Sequence, residues 1–244
     1  MLPNCELINC LGNQYLVFKG NDLISNYIKR EPYEVEVFAV AHKLLDKHKD
    51  GIVLDIGANM GTFSIPLARA NPHLTFHAFE AQRIIYYQLC ANTFVNGLNN
   101  IHNYHVALSD EKGFTNLEVP DYAKEVNIGA FSIDEETRKN DYECQTTGQT
   151  EAIDLEPLDD YFFRKVRLIK VDVEGHELEV LKGAEETIEV NNYPPIIFEA
   201  WNWKPWFEPK RKQLFEYLTD MGYEITEGGN NNLAQHPVFG EMLK

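Results

Sequence analysis

Short β-branched runs alternate with helix-length segments along most of the chain, the pattern of parallel strands joined by crossover helices. Residues 51–56, 75–79, 102–107, 168–173 and 196–200 read as strands, and 64–70, 82–96 and 177–191 as the helices between them. A helix is also expected over 33–47, where Val37, Val40, Ala41, Leu44 and Leu45 fall at helical spacing and would pack on the sheet. Between Ser109 and Tyr161 the composition turns polar, with DEETRKNDYECQTTGQTE at its centre, and helical periodicity disappears. Antiparallel strands and a mobile loop are expected there. The closing stretch GYEITEGGNNNLAQHP reads as two strands around a Gly-Asn turn that complete the sheet edge.

Composition narrows this α/β picture. At 244 residues, 44% of them hydrophobic, the chain can build one large core without disulfides or metals. A single domain over 1–244 is expected, with 1–32 as an N-terminal extension and 33–244 as the core. Twenty-two basic against 38 acidic residues give a net charge of −16, which repels phosphate backbones, so no nucleic-acid partner is expected. The four cysteines form no Cys-x-x-Cys pair, and no His-Glu-x-x-His run occurs, which argues against a zinc site. Free thiols, a start without a signal-type segment and no apolar run near the ~18 residues of a membrane span make the cytoplasm the simplest location, with no membrane insertion.

The first chemical signal is VLDIGANMG at 53–61, where a buried strand passes into a helix. Gly57 and Gly61 permit a tight turn with the backbone close to a ligand, and Asn59 is among the few other residues that tolerate positive φ. Small residues here would expose N–H donors, as in a dinucleotide site, so the glycines alone do not choose the cofactor. Asp55 does: a carboxylate before the turn repels a pyrophosphate but suits the ammonium and sulfonium of S-adenosylmethionine. Glu80, closing the next strand in FHAFEA, stands where an acid accepts hydrogen bonds from ribose hydroxyls.

The third signal is VRLIKVDVEGHELEVLKGAEE at 166–186, an apolar strand ending in acids, a Gly turn and a helix. Ligands of open α/β sheets bind outside the carboxyl ends of the strands, which puts Asp172, Glu174 and His176 at the same edge as Gly57 and Glu80. Methylating an alcohol needs its hydroxyl aligned with the sulfonium methyl and its proton removed, work for a carboxylate or an imidazole. Asp172, Glu174 and His176 are therefore the candidate catalytic residues. A divalent cation on Asp172, Glu174 and a further acid such as Glu199 is chemically sensible, but the residue types do not select one, and no metal is predicted.

DIGANMG, FEA, DVEGHELEVLKGA and IIFEAW, in that order, resemble the FkbM family of methyltransferases across most of 33–226. Further family-like traits are Asn92 and Asn96, VALSD at 106–110, NIGAFS at 127–132 and the Leu158-Asp159 pair. The resemblance implies a Rossmann-like, doubly wound, seven-stranded and mostly parallel sheet with helices on both faces. It implies that Asp55, Gly57, Asn59 and Gly61 surround the amino-acid half of adenosylmethionine, Glu80 its ribose, and Ala107, Leu108 and Ser109 its adenine, with Ala58 and Ala81 also binding the cofactor and Asp172 facing the methyl. Ala81 stands where many members have proline, and His176 falls at a position that varies in the family. The implied activity is methylation of a hydroxyl on a sugar, glycolipid or natural product, a small-molecule or glycan acceptor, leaving S-adenosylhomocysteine.

Two other readings stay open at this point, an NAD-dependent Rossmann enzyme acting on a sugar and a non-catalytic adenosylmethionine-binding module. The segment WNWKPWFEPKRK at 201–212 carries three tryptophans that could wall an acceptor site or simply pack as a loop.

Overall fold

The computed structural model describes residues 4–20, 22–122, 124, 127–129, 131–140, 146–240 and 243. Twelve strands are described, β1 (Cys5–Cys10), β2 (Asn13–Phe18), β3 (Ile52–Ile56), β4 (Thr75–Phe79), β5 (Ile101–Tyr104), β6 (Ala107–Leu108), β7 (Gly113–Pro120), β8 (Thr146–Glu156), β9 (Val166–Val171), β10 (Ile196–Glu199), β11 (Glu224–Thr226) and β12 (Asn231–Gln235). The helices are α1 (Leu23–Ile28), α2 (Val35–Leu45), α3 (Ser64–Ala70), α4 (Arg83–Val95), α5 (Glu135–Asn140), α6 (Glu177–Lys182), α7 (Glu185–Val190) and α8 (Glu208–Asp220). Seven strands form the main sheet in the order β11-β12-β10-β9-β3-β4-β5, parallel except for β12, which runs against both its neighbours. The chain winds outward from β3 to β5, returns to β9, and winds the other way. The resulting switch point lies between β3 and β9, where such sheets bind ligands.

The central strands β3, β9 and β10 are mostly apolar because both sheet faces are covered there. Successive residues divide between two cores. Val53, Leu168 and Ile197 join α2, α3 and the N-terminal elements on one face, while Leu54, Ile169 and Ile196 join α6, α7 and α8 on the other. This alternation also places Asp55 and Lys170, paired across β3 and β9, on the α2–α3 face.

Residues 5–28 pack onto the core as a hairpin and a helix. Asn92 of α4 accepts from Leu16 N (2.6 Å) and donates to Met60 O (2.9 Å), and Asn96 accepts from Gln14 N (2.9 Å). The two asparagines that resemble the family pattern thus clasp β2. Asp22 caps α1 through Ser25 N (2.9 Å) and accepts from Ile128 N (3.2 Å), tying this segment to 127–129.

The structure corrects three expectations. The strand expected at 102–107 is two strands in different sheets: β5 ends at Tyr104, and β6 pairs with β8 beside the antiparallel β7–β8 ladder. The polar stretch after Ser132 holds α5, a short helix built on a cap rather than an apolar face, with Asp134 Oδ1 accepting from Thr137 N (2.7 Å); residues 141–145 lie outside the described residues. The helix expected at 177–191 is broken at Gly183 into α6 and α7. The Gly183 backbone runs against the Ser109 carbonyl, and Asp159 starts a new helix by accepting from Glu186 N (3.0 Å) and Thr187 N (2.6 Å).

A Cβ at Gly183 would sit 2.0 Å from Ser109 O, a backbone atom. Gly183→Ala should therefore lower stability by about 1–3 kcal/mol, the range for overpacking a close contact. An unchanged denaturant midpoint would show that β6 and α6 are free to move apart.

Candidate functional site

The Gly57–Gly61 turn is built for close approach. Gly57 and Gly61 take φ of 78° and 91°, and Asn59 takes 49°. A Cβ on Gly57 would lie 1.8 Å from the Asp172 carbonyl oxygen, so only glycine lets the ends of β3 and β9 meet. The turn's amides, however, are already used. Gly57 N and Ala58 N donate to Phe79 O (3.0 and 2.9 Å), Asn59 N to Glu80 Oε2 (2.9 Å), Met60 N to Asn59 Oδ1 (2.7 Å) and Gly61 N to Ala58 O (2.9 Å). The amides of 57–61 are therefore not the free donors expected of this turn, which weakens the NAD reading.

A cleft enclosing about 910 Å³, its open mouth included, lies over this turn. Gly57, Ala58 and Asn59 form its floor, with Glu80, Ala81, Ala107 and Leu108 along one side and Phe131 and Ile133 above. Glu80 is locked in place: its two oxygens accept from Asn59 N and Gln82 N (2.9 and 2.8 Å). Burial raises its pKa to about 7, against the pull of those two amides. A fixed carboxylate beside an apolar slot could hold a ribose and an adenine.

The other end of the cleft gathers acids around one lysine. Lys170 is 3% exposed, with Nζ 2.9 Å from Asp172 Oδ2 and 3.9 Å from Asp55 Oδ1. Burial opposes its charge, but Asp172, Asp55 and Glu34 outweigh burial and hold the ammonium above its ordinary pKa. Glu34, Asp172, Glu174 and Glu199 line the cleft with it. Glu199 is raised well above the carboxylate range by burial and then by Glu174 and Asp172, against a hydrogen bond from Trp201. Its Oε2, like Asp55 Oδ1, is buried without a hydrogen-bond partner. Crowded carboxylates whose pKa is raised ionise more readily beside a cation, and the ammonium and sulfonium of adenosylmethionine would supply that charge. One carboxylate oxygen from each of Asp172, Glu174 and Glu199 lies within 4.8 Å of the others, a spacing that could also hold a divalent cation.

Of the residues expected at the site, Gly57, Ala58, Asn59, Glu80, Ala81, Ala107, Leu108, Asp172 and Glu174 line this one cleft. Four do not. Asp55 is fully buried beneath the turn, accepting from Ser64 Oγ (2.5 Å), because its strand position points it at α3. Gly61 faces Ile65 and Leu89. His176 bonds Ser109 Oγ through Nε2 (3.0 Å) behind the cleft, and burial lowers its pKa, so both His176 and Ser109 are pinned outside. The tryptophans supply no wall either: Trp201 is buried against Phe207 (4.8 Å between rings) and Trp206 (5.8 Å), while Trp203 is largely exposed. Sequence reasoning missed Lys170, Tyr33, Glu34 and Glu177. The signal for Lys170 was a charge inside an apolar strand; Glu177 holds the Asp172–Gly175 turn by accepting from Val173 N and Gly175 N (both 3.1 Å).

A methyltransferase of the Rossmann-like class is what this sheet order and this acid-lined cleft define. The family model for the FkbM methyltransferase domain matches residues 55–225, and the chain belongs to that family. It is an adenosylmethionine-dependent methyltransferase. Methyltransferase sdnD of Sordaria araneosa is 30% identical over 206 residues, covering 71% of this chain and 74% of its own length. Methyltransferase 1 of Beauveria bassiana (strain ARSEF 2860) is 24% identical over 155 residues, 56% of this chain and 59% of its own. A putative caffeoyl-CoA O-methyltransferase from Staphylococcus aureus shares the fold, with a TM-score of 0.52 at 9% identity over 82% of each chain. Among the described residues no helix is long and apolar enough to cross a membrane.

Because burial pushes Glu80 up to about 7, a ribose held by its carboxylate would lose its acceptor on protonation, and adenosylmethionine affinity should then fall as pH drops from 8 to 6. The stability of the free protein should move the other way. A carboxyl whose folded pKa is raised contributes stability at low pH that is lost as pH rises through about 7, and Glu177, also raised to about 7 by burial, adds the same sign. Calorimetric titrations across that range should show the slope in the wild type and a flat profile in Glu80→Gln; a slope that survives the substitution would assign it to another group.

Proposed function

We propose that the chain is an O-methyltransferase, moving the methyl group of adenosylmethionine to a hydroxyl of a sugar, glycolipid or natural-product acceptor. The observation that carries this reading is the Asp172 carboxylate, presented to the cleft at the end of β9 and oriented by the buried Lys170 ammonium at 2.9 Å. When bound, adenosylmethionine supplies an electrophilic methyl on a sulfonium. The protein then has to align an alcohol and take its proton as the new C–O bond forms, and oriented carboxylates at the methyl end do both. Asp172 takes the lead role, with Glu174 beside it and His176 excluded by its place behind the cleft. Glu80 and the Ala107–Leu108 wall hold the nucleoside, and the acids around Lys170 favour the cation. The described residues of the cleft include no Cys or His that could act as a nucleophile.

The test is transfer of labelled methyl to a panel of sugars, glycolipids and polyketide alcohols, with and without chelator. Asp172→Asn should cut turnover by about 100-fold or more, the range for losing a positioned acid–base group, while adenosylmethionine still binds. Loss of product on chelation would add a cation at Asp172, Glu174 and Glu199. Label arriving only on nitrogen or sulfur acceptors would overturn the hydroxyl reading.

A further inference from the structure

We infer that the Tyr33 hydroxyl binds the acceptor, donating to an oxygen on the carbon next to the methylated hydroxyl, and so selects alcohols with a neighbouring oxygen over isolated ones. The inference rests on the methyl-transfer reading above, to which it adds a residue that touches the second substrate. Tyr33 lines the cleft together with Glu34, Lys170, Asp172 and Glu199. Its ring meets that of Tyr27 edge-on, 5.5 Å away at 84°, and packs against the core that carries α2 and α3. Its hydroxyl makes no hydrogen bond to another described residue and is not closed off from solvent. That hydroxyl lies among the acids: burial raises its pKa first, then Glu34 and Asp172, with Lys170 opposing and Glu199 adding to the rise. It therefore stays protonated, and a donor, at neutral pH.

What this hydroxyl can do follows from its neighbours. Glu34, Asp172 and Glu199 accept hydrogen bonds when ionised and offer none. The Lys170 ammonium is drawn to Asp172 and Asp55, at 2.9 and 3.9 Å. Of the described residues lining the cleft, only Tyr33 and Thr62 carry a hydroxyl, and Thr62 belongs to the turn after β3. An alcohol that gives its reacting hydroxyl to Asp172 would leave an oxygen beside it facing carboxylates, with no donor, and desolvating it so is costly. Tyr33 supplies the donor. If the neighbouring oxygen is itself a hydroxyl it is held twice, accepting from Tyr33 and donating to Glu34. The backbone makes that pairing possible, since consecutive residues of an extended chain face opposite ways, whereas the left-handed φ of 49° at Glu34 accompanies two consecutive side chains on one cleft. The methionine carboxylate of the cofactor is the other oxygen group Tyr33 could serve, but Asp172, Glu34 and Glu199 disfavour an anion at that end.

The probes are trans-1,2-cyclohexanediol and cyclohexanol, offered to the full chain as acceptors of labelled methyl and titrated calorimetrically with S-adenosylhomocysteine present. The diol should be preferred in both assays. Tyr33→Phe removes one oxygen and keeps the ring packing, so the fold and the adenosylhomocysteine affinity should hold. It should raise KM for the diol about tenfold, the factor for one hydrogen bond, with the change in KM rather than kcat, so that the two probes become equivalent. No preference for the diol in the wild type, or a preference that survives the substitution, overturns the inference. Weaker adenosylhomocysteine binding by Tyr33→Phe assigns the hydroxyl to the cofactor and also overturns it. Methyl transfer to other panel alcohols at equal rates by both forms keeps the methyltransferase and rejects Tyr33. Diol binding that is lost in Tyr33→Phe, with no methyl transfer to any alcohol, supports the acceptor contact and counts against the hydroxyl-transfer reading.

Discussion

The buried ammonium of Lys170 organises the site. A lysine in a strand covered on both faces is tolerated only if opposite charge meets it there, and Asp55 and Asp172 do so from the neighbouring strand and from its own strand end. The three are fixed by register, since Asp55 pairs with Lys170 across β3 and β9 and Asp172 follows two residues later on the same face. One carboxylate is thus consumed inside the sheet and the other is held at its edge in a set orientation. The acid that reaches the cleft depends on the acid that does not.

The same constraint sets the glycine turn apart from the anion site it is spelled like. Helix N-termini bind phosphate through free amides, and the amides of 57–61 are taken by Phe79, Glu80 and the turn itself. With its amides used, the turn works as a spacer. It brings the backbone of β3 against that of β9 at Gly57 and delivers Glu80 to the cleft wall, leaving the field there to the carboxylates around Lys170.

The central sheet was legible because strands buried on both faces read as near-continuous apolar runs, and four of the five runs read as strands became strands of the main sheet with ends within two residues. The hairpin at 5–18 was not legible, since CELINC and NQYLVF alternate weakly and owe their place to Asn92 and Asn96 far along the chain. Nor was α8, whose opening Glu-Pro-Lys-Arg-Lys reads as loop and whose buried face is little more than Leu214 and Leu218. At the site, motif reading found the residues on the turns after β3, β4 and β9, where spacing alone fixes position. It misplaced Asp55 and His176 because a one-residue change of direction on a strand, or a cap position at a helix start, exchanges cleft for core. Glu34 carries no motif at all: only the fold of 5–45 over the sheet brings it there.

Strained backbone occurs at that same edge, as it does at five other described non-glycine residues. Glu34, Asn59 and Glu174 are three of the non-glycine residues with left-handed φ among those described, at 49°, 49° and 55°, and all three line the cleft. Each sits where an element begins or ends against the carboxyl edge of the sheet, so packing on both sides over-determines it. Holding three such residues costs free energy that a protein selected only for stability could recover with glycine. Glycine at 34 or 174 would also remove a carboxylate from the Lys170 end of the cleft, which ties the strained geometry to the charge it carries.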